Sequence, residues 1–316
     1  MSWPALIGHA ALWERLTRLL AEDRLPHALL LTGPPGIGKA LLARRLAAHL
    51  ACTADGERPC GECSGCRQIA AGTHPDLFAI GAPDRRKAET RRKEIGIEHA
   101  RALKRFVQLH ATVAARKMAI IDDADRLSLA AQNALLKTLE EPPGQALLVI
   151  VTASPGSLLS TVRSRCQRVL CRPLTDREVS TVLTAAGLPA NDASALAAAA
   201  DGSPGRALAL HDAWQDGDRR DVERLLADLD AARYGSILAM SRGLGSSEPE
   251  TASRLDGLLG LCRNAALAAA ATGDPGRLDN ALRRAEAVAE AVRTLRWRNP
   301  NRGLLTEALA LQLARR

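Results

Sequence analysis

The feature that most constrains the fold is a short apolar run that leads into a glycine-rich turn and then a helix. Residues 28–32 read ALLLT and residues 33–40 read GPPGIGKA. A buried strand that opens into such a loop can hold a phosphate group, because glycines let backbone N–H groups turn inward and the helix N-terminus adds a positive field. The candidate phosphate-binding residues are Gly33, Gly36, Gly38 and Lys39, whose ammonium would reach the terminal phosphates.

Two positions near this loop depart from the pattern of a hydrolysing site. Ala40 stands where a Ser or Thr hydroxyl would hold Mg²⁺. A second apolar run, 118–121, leads into Asp122, which is placed to hold a metal, and Asp123, where motor ATPases usually carry a Glu that orients the attacking water. The shorter side chain would displace that water by about an ångström, enough to cost on the order of a hundredfold in rate. Both departures predict weak or absent hydrolysis by this chain.

The order of apolar runs predicts an α/β fold followed by helices. Strands at 28–32, 117–122 and 146–152 alternate with helices, which favours a parallel sheet covered on both faces. Beyond residue 171 the pattern is helical, and one face of 279–297 is expected to bury in a bundle through Leu282, Ala285, Val288, Val292 and Leu295. Apolar runs reach only about six residues, against the 18 or more of a membrane span. With no signal peptide visible, we expect a cytoplasmic protein without membrane contact.

Four of the seven cysteines lie close together, at Cys52, Cys60, Cys63 and Cys66. Two CxxC steps that share a cysteine suit tetrahedral Zn²⁺ held by four thiolates, and such a closed site is structural. Iron–sulfur ligation uses related spacings, and reactive thiols are the remaining alternative. Cys166, Cys171 and Cys262 are scattered, and we expect them to be buried or inert.

The chain is basic, with a formal net charge of +8 and six basic residues in the stretch 82–93. Such a balance is compatible with a nucleic-acid or acidic partner and equally with solvated surfaces. Two arginines are candidates for contacts with phosphate. Arg165 follows the third strand, where it could reach a neighbouring subunit's triphosphate, and Arg206 begins a helix from which it could touch the chain's own site. For each, an ordinary surface arginine is the alternative.

Together these motifs resemble the clamp-loader branch of the AAA+ family. The stretches that carry the resemblance are LPHALLLTG at 25–33, the four-cysteine insert, HPD at 74–76, IIDDAD at 120–125, QNALLKTLEEPP at 132–143, SRC at 164–166, GSPGRA at 202–207 and NPN at 299–301. The resemblance implies an AAA+ nucleotide-binding domain at 1–170 with a zinc insert at 52–66, a helical lid at 171–208 and an all-α collar at 209–316.

The resemblance also implies roles that spacing alone does not give. Arg165 would be an arginine finger offered to the ATP of an adjacent motor subunit, Thr152 a sensor at the end of the third strand, and Arg206 the lid sensor. The chain would be a non-motor subunit that helps load a sliding clamp onto primer–template DNA, in a hetero-oligomer with motor and delta subunits. ATP or ADP binding at the degenerate site stays open.

Two rival functions remain at this point. An active motor ATPase predicts a hydroxyl at position 40 and a Glu at position 123, and both are missing. A zinc-containing nucleic-acid-binding module would use the basic stretch 85–93 as its surface. The aromatic content of 2% argues against a surface that stacks bases.

Overall fold

The computed structural model describes residues 6–81, 94–144, 146–215, 241, 243–244, 248–298 and 300–314. The basic stretch 82–93 and Asn299 of the NPN motif lie outside the described residues. The chain divides into two compact units, 1–175 and 176–316, which are taken in turn below. The finer division of the second unit into lid and collar near residue 208 stays a prediction.

The first unit alternates strands and helices. Its elements in chain order are α1 (Ala10–Ala21), β1 (Ala28–Thr32), α2 (Lys39–Ala51), α3 (Ser64–Ala71), β2 (Leu77–Ile80), α4 (Ile97–Val107), β3 (Met118–Ile121), α5 (Leu129–Glu140), β4 (Leu147–Thr152), α6 (Ser160–Ser164) and β5 (Gln167–Leu170). The five strands form one sheet in the order β2-β3-β4-β1-β5, and every neighbouring pair is parallel. The predicted parallel sheet between helices is therefore confirmed.

The sheet is buried on both faces because helices cover each side. All residues of β1, β3 and β4 are buried, as near-continuous apolar strands of a parallel sheet require. Side chains of α4, α5 and α6, among them Leu103, Leu135 and Val162, share one apolar cluster with one face of these strands. Helix α2 packs against β3 and β4. The strands β2 and β5, at the two edges of the sheet, were not predicted from the sequence.

The second unit is helical throughout its described part. Its elements are α7 (Asp176–Ala185), α8 (Ala190–Ala199), α9 (Pro204–Gln215), α10 (Glu248–Thr272), α11 (Pro275–Arg298) and α12 (Arg302–Ala314). Residues of α10, α11 and α12 form a common apolar core that includes Leu258, Val288 and Leu309. Within the described part of the chain, every helix is too short or too polar to cross a bilayer.

The buried face of α11 differs from the prediction at one position. Val288, Val292 and Leu295 are buried as expected, but Leu282 is 49% exposed and Ala281 is buried in its place. Positions 281, 285, 288, 292 and 295 are spaced alternately by four and three residues, which keeps them on one helical face. The prediction chose Leu282 because its apolar side chain is the larger of the two, but helix geometry places Ala281 on the buried face.

Candidate functional site

The candidate phosphate-binding residues lie at one edge of the sheet in the first unit. The loop 33–38 follows β1, Asp122 follows β3, and Thr152 ends β4. Register brings these ends together, because Thr32 of β1 pairs with Thr152 while Ile121 of β3 pairs with Ile150. The carboxyl edge of a parallel α/β sheet is where such folds bind ligands.

The loop has the backbone that phosphate binding requires. Gly33, Gly36 and Gly38 all have positive φ values, of 149°, 78° and 99°. A side chain at Gly33 would place its Cβ 2.2 Å from the carbonyl oxygen of Cys171, so no other residue fits there without rearrangement. Gly38 in turn is the N-cap of α2, and its left-handed conformation starts the helix at Lys39.

Two buried side chains donate hydrogen bonds to backbone carbonyl oxygens of this loop. Lys39 is 5% exposed, and its Nζ donates hydrogen bonds to the carbonyl oxygens of Gly33 at 2.7 Å and Pro34 at 2.6 Å. The buried ring of His9, at the start of α1, donates from Nε2 to the carbonyl oxygen of Ile37 at 2.7 Å. The ammonium group therefore sits inside the loop, and the loop apex is tied to α1.

The acidic residues after β3 occupy distinct environments. Asp122 is buried, and its Oδ1 accepts a hydrogen bond from the backbone N–H of Asp123 at 3.0 Å. Asp123 has a φ of 49°, and its carboxylate lies 4.0 Å from Arg126. The hydroxyl of Thr152 donates to Oδ1 of Asp125 at 2.8 Å, which orients Thr152 at the end of β4.

Arg165 lies at the opposite edge of the sheet from the phosphate-type loop, which consists of residues 33–38. It is the C-cap of α6 and precedes β5, whose parallel pairing with β1 puts the first residue of β5 opposite Leu29 near the start of β1. The four residues of β5 alone span roughly 10 Å along the sheet at about 3.3 Å per residue. Arg165 is therefore placed away from the loop of its own chain, at the amino edge.

At that edge Arg165 contacts its own unit. Its Nη2 forms an ion pair with Oε1 of Glu140 at 2.5 Å, and its Nη1 donates to the carbonyl oxygen of Thr161 at 2.9 Å. Glu140 is the last residue of α5 and belongs to the LEEPP stretch. The guanidinium in this structure is folded back onto the chain that carries it.

Arg206 belongs to the second unit and lies in the first turn of α9. Its Nη1 forms an ion pair with Oδ2 of Asp201 at 2.6 Å, and Arg263 of α10 contacts the same oxygen. Among the described residues, its Nε and Nη2 are buried without a hydrogen-bond partner. The carboxylate of Asp201 thus pairs with two guanidinium groups, that of Arg206 on α9 and that of Arg263 on α10.

The four clustered cysteines form a compact group in the first unit. Their sulfur atoms all lie within 4.8 Å of one another, with Sγ–Sγ distances of 3.9 Å for Cys52–Cys63 and 4.0 Å for Cys60–Cys66. A tetrahedral Zn²⁺ with Zn–S bonds of about 2.3 Å separates its sulfur ligands by ~3.8 Å. The donor set and its spacing therefore fit a structural zinc ion.

The cluster clamps the end of the helix that begins at the phosphate-type loop. Cys52 is the C-cap of α2, and Cys63 is the N-cap of α3, with its Sγ accepting from the backbone N–H of Cys66 at 3.4 Å. Gly65 allows this close approach, because a Cβ there would lie 2.1 Å from the carbonyl oxygen of Ala51. The cysteine cluster therefore joins the end of α2 to the start of α3.

The thiols of the cluster differ from one another in acidity. Burial acts to raise the pKa of Cys63, but hydrogen bonds from Cys66 and Thr53 outweigh it and lower the pKa to about 6. Burial raises the pKa of Cys66 to about 12. Burial also raises the pKa to about 11 at the three scattered thiols, which are those of Cys166, Cys171 and Cys262. The pKa of Cys63 therefore lies below those of the three scattered thiols.

Sequence reasoning missed the side chains that hold the candidate residues. The sequence did not point to four of these contact residues. They are His9, which bonds to the loop, Asp125, which bonds to Thr152, Glu140, which pairs with Arg165, and Asp201, which pairs with Arg206. Asp125 and Glu140 do fall within the stretches that carry the resemblance. No spacing rule pairs them with partners 27 and 25 residues away along the chain.

The sheet order, the loop after β1 and the acidic residues after β3 define a P-loop α/β protein of the AAA+ type. A family model described as DNA polymerase III, delta subunit, matches residues 8–175, which is more than half of the chain. The chain belongs to this family.

Relatives of known name agree with this assignment. DNA polymerase III subunit delta' of Pseudomonas aeruginosa is 39% identical over 209 residues, which cover 64% of this chain and 60% of that protein. The Escherichia coli K12 subunit delta' is 38% identical over 208 residues with the same coverage. The resemblance to delta' subunits, which the motifs in the sequence carry, is confirmed. The chain spans about 60% of the length of these relatives.

The chain is also similar to proteins other than delta' subunits. DNA polymerase III subunit tau/gamma of Haemophilus influenzae is 32% identical over 277 residues, covering 81% of this chain and 39% of that protein. A gamma subunit-related protein of DNA polymerase III from Thermotoga maritima has a TM-score of 0.43 at 17% identity, over 96% of this chain and 99% of that one. The FIGL-1 AAA domain in complex with ADP has a TM-score of 0.46 at 19% identity, over 70% and 75%. Neither structural similarity adds to the fold described above.

Proposed function

We propose that this chain is a non-motor subunit of a bacterial DNA polymerase III clamp loader. In that role it helps load the sliding clamp onto primer–template DNA, within a cytoplasmic hetero-oligomer that contains motor subunits and a delta subunit. The family assignment and the delta' relatives support the proposal. We expect DNA contact in the assembled complex to run through phosphates and to weaken with salt.

The non-motor assignment rests on the chemistry around the loop. Ala40 offers no hydroxyl to Mg²⁺ at the position where a P-loop ATPase supplies one. Asp123 lies where a water-orienting Glu is expected, and its carboxylate is close to Arg126. Phosphate binding is nevertheless compatible with the loop, because the glycine conformations and the buried Lys39 are retained. We therefore propose that Gly33, Gly36, Gly38 and Lys39, with Asp122 and Thr152, bind ATP or ADP without turning it over.

The single observation that carries the proposal is the placement of Arg165 at the amino edge of the sheet. Its own phosphate-type loop lies at the carboxyl edge, so a guanidinium at this place is suited to a triphosphate held by another subunit. An arginine supplied in trans stabilises the charge that develops in phosphoryl transfer and contributes roughly 10³–10⁵ to the rate. This chain would thus promote hydrolysis that it does not itself perform.

Zinc has a structural role in this proposal. Cys52, Cys60, Cys63 and Cys66 would hold one Zn²⁺ with no open coordination position, so the metal takes no part in hydrolysis. Its effect would be to fix the carboxyl end of α2, the helix that starts at the phosphate-type loop.

The test is ATP turnover by the assembled complex carrying Arg165→Ala. We expect stimulated turnover at the neighbouring site to fall by at least ~10³-fold, with assembly and folding unchanged. Arg163→Ala is the matched control, since Arg163 lies two residues away on the exposed side of α6 and should leave turnover intact. Unchanged turnover in a fully assembled Arg165→Ala complex would remove the finger assignment.

A further inference from the structure

The ion pair between Arg165 and Glu140 occupies the guanidinium that the proposed function assigns to a neighbouring triphosphate. Nη2 is committed to Glu140 at 2.5 Å, while Nη1 donates to the carbonyl oxygen of Thr161 at 2.9 Å and approaches the Ser164 hydroxyl at 3.5 Å. Within the described part of the chain, the remaining nitrogen, Nε, is buried and has no hydrogen-bond partner.

A phosphate would compete for the same atoms. Arginine binds carboxylate and phosphate groups through the same fork of N–H donors, so a guanidinium held by one is not presented to the other. Contact between Arg165 and a triphosphate on another subunit therefore requires that Nη2 leave Glu140. The side chains of Arg165 and Glu140 are 34% and 47% exposed, so water can reach the pair and replace the lost contact.

We infer that Glu140 is a positioning residue that stores Arg165 on its own domain until a neighbouring triphosphate displaces it. The inference rests on the proposed function, because it concerns when the finger is available. Glu140 ends α5 and the two residues after Glu141 are prolines, so the helix stops with this carboxylate at the amino edge. The contact lowers the fraction of free Arg165 in the absence of a partner and disappears when the finger engages.

The strength of the pair fits a contact that yields to a phosphate. Ion pairs with this degree of exposure shift an equilibrium by only about two- to fivefold. The contact would therefore suppress unstimulated hydrolysis modestly, while a triphosphate with its higher charge still displaces the carboxylate. A much stronger pair would also reduce the stimulated rate.

The test uses the assembled complex with Glu140→Gln, which keeps the shape of the side chain and removes its charge. Glu141→Gln is the matched control, because the Glu141 carboxylate makes no ion pair within the described part of the chain. ATP turnover is measured without stimulation and at saturating sliding clamp and primed DNA. Glu140→Asp provides a second variant, since a carboxylate one methylene shorter should weaken the pair without removing charge.

We expect Glu140→Gln to raise unstimulated turnover about two- to fivefold and to leave the stimulated plateau unchanged. Glu140→Asp should give a smaller rise, and Glu141→Gln none. The rise should vanish in the double variant Glu140→Gln/Arg165→Ala, whereas an effect of Glu140 on folding alone would persist there.

Two different failures are distinguishable. Unstimulated turnover that is unchanged or lower in Glu140→Gln, in a complex where Arg165→Ala still abolishes stimulated turnover, overturns the role of Glu140 and leaves the proposed function standing. If Arg165→Ala has no effect, the proposed function itself fails.

Discussion

The buried carboxylate of Asp76 is expected to contribute strongly to the stability of the first unit. Asp76 is fully buried, and its two oxygens accept hydrogen bonds from the backbone N–H groups of Thr112, Val113 and Ala114 at 2.8, 2.6 and 2.8 Å. Nζ of Lys117, itself 6% exposed, lies 2.8 Å from Oδ1. The carboxylate thus closes the turn that precedes β3.

Substitution Asp76→Asn replaces one oxygen by an amide donor. That NH₂ group faces either backbone N–H groups or the ammonium of Lys117, so at least one donor meets a donor and the buried cation loses its counter-charge. Breaking a buried pair in this way costs about 3–5 kcal/mol in free energy of unfolding. For a unit of 175 residues, at about 2–4 °C per kcal/mol, the melting temperature should fall by roughly 6–20 °C.

The effect should depend on pH in a defined direction. Burial by itself raises the pKa of Asp76, but Lys117 and the three N–H groups outweigh it and hold the pKa well below its usual range. A carboxyl group whose pKa is depressed on folding stabilises the protein above its unfolded pKa of about 3.9 and loses that contribution as the pH falls towards the folded value. The difference from wild type should be constant between about pH 5 and 8 and shrink below about pH 4.

The assay is thermal unfolding followed by circular dichroism, with Asp55→Asn as the control. Asp55 is exposed, and its carboxylate makes no ion pair within the described residues. A melting temperature for Asp76→Asn within ~2 °C of the Asp55→Asn value would refute the reasoning. A difference that persists unchanged at pH 3 would refute the pKa argument alone.

Two further predictions concern the cysteine cluster and the loop. Gly65→Ala should speed the loss of zinc to a chelator, because its Cβ would lie 2.1 Å from the Ala51 carbonyl oxygen. Gly56→Ala is the control and should behave as wild type, because no atom lies within 4 Å of its Cβ. Equal rates of zinc release from the two variants would contradict the close contact. Lys39→Met should raise the Kd for ATP about 10- to 100-fold in titration calorimetry, since a charged hydrogen bond to phosphate is lost. Lys104→Met is its control, and an unchanged Kd would show that Lys39 does not reach the phosphates.

Features set by nearby residues were predictable from the sequence. Glycine spacing fixes the backbone of the phosphate-type loop, and the observed positive φ values at Gly33, Gly36 and Gly38 follow that pattern. The cysteine spacing likewise predicts a group of four thiols, and the four sulfur atoms lie within 4.8 Å of one another. In both cases all the residues of the candidate site lie within fewer than 20 consecutive positions.

Contacts between distant residues were not predictable. The pairing of Glu140 with Arg165 depends on α5 packing against the short helix α6, whose C-cap is Arg165, and α6 was not predicted. The bond from Thr152 to Asp125 depends on the register of β3 and β4. On α11, the choice between Ala281 and Leu282 is decided by the phase of the helix rather than by side-chain size.

The measurement that tests the central claim most directly is steady-state ATP hydrolysis by the purified, zinc-loaded chain alone, with Mg²⁺ in excess. The account predicts no turnover above background, because Ala40 offers Mg²⁺ no hydroxyl and Asp123 is too short to orient the attacking water. Turnover of about one per second, within the usual range for enzymes, would contradict it. That result would make the chain a motor subunit in its own right.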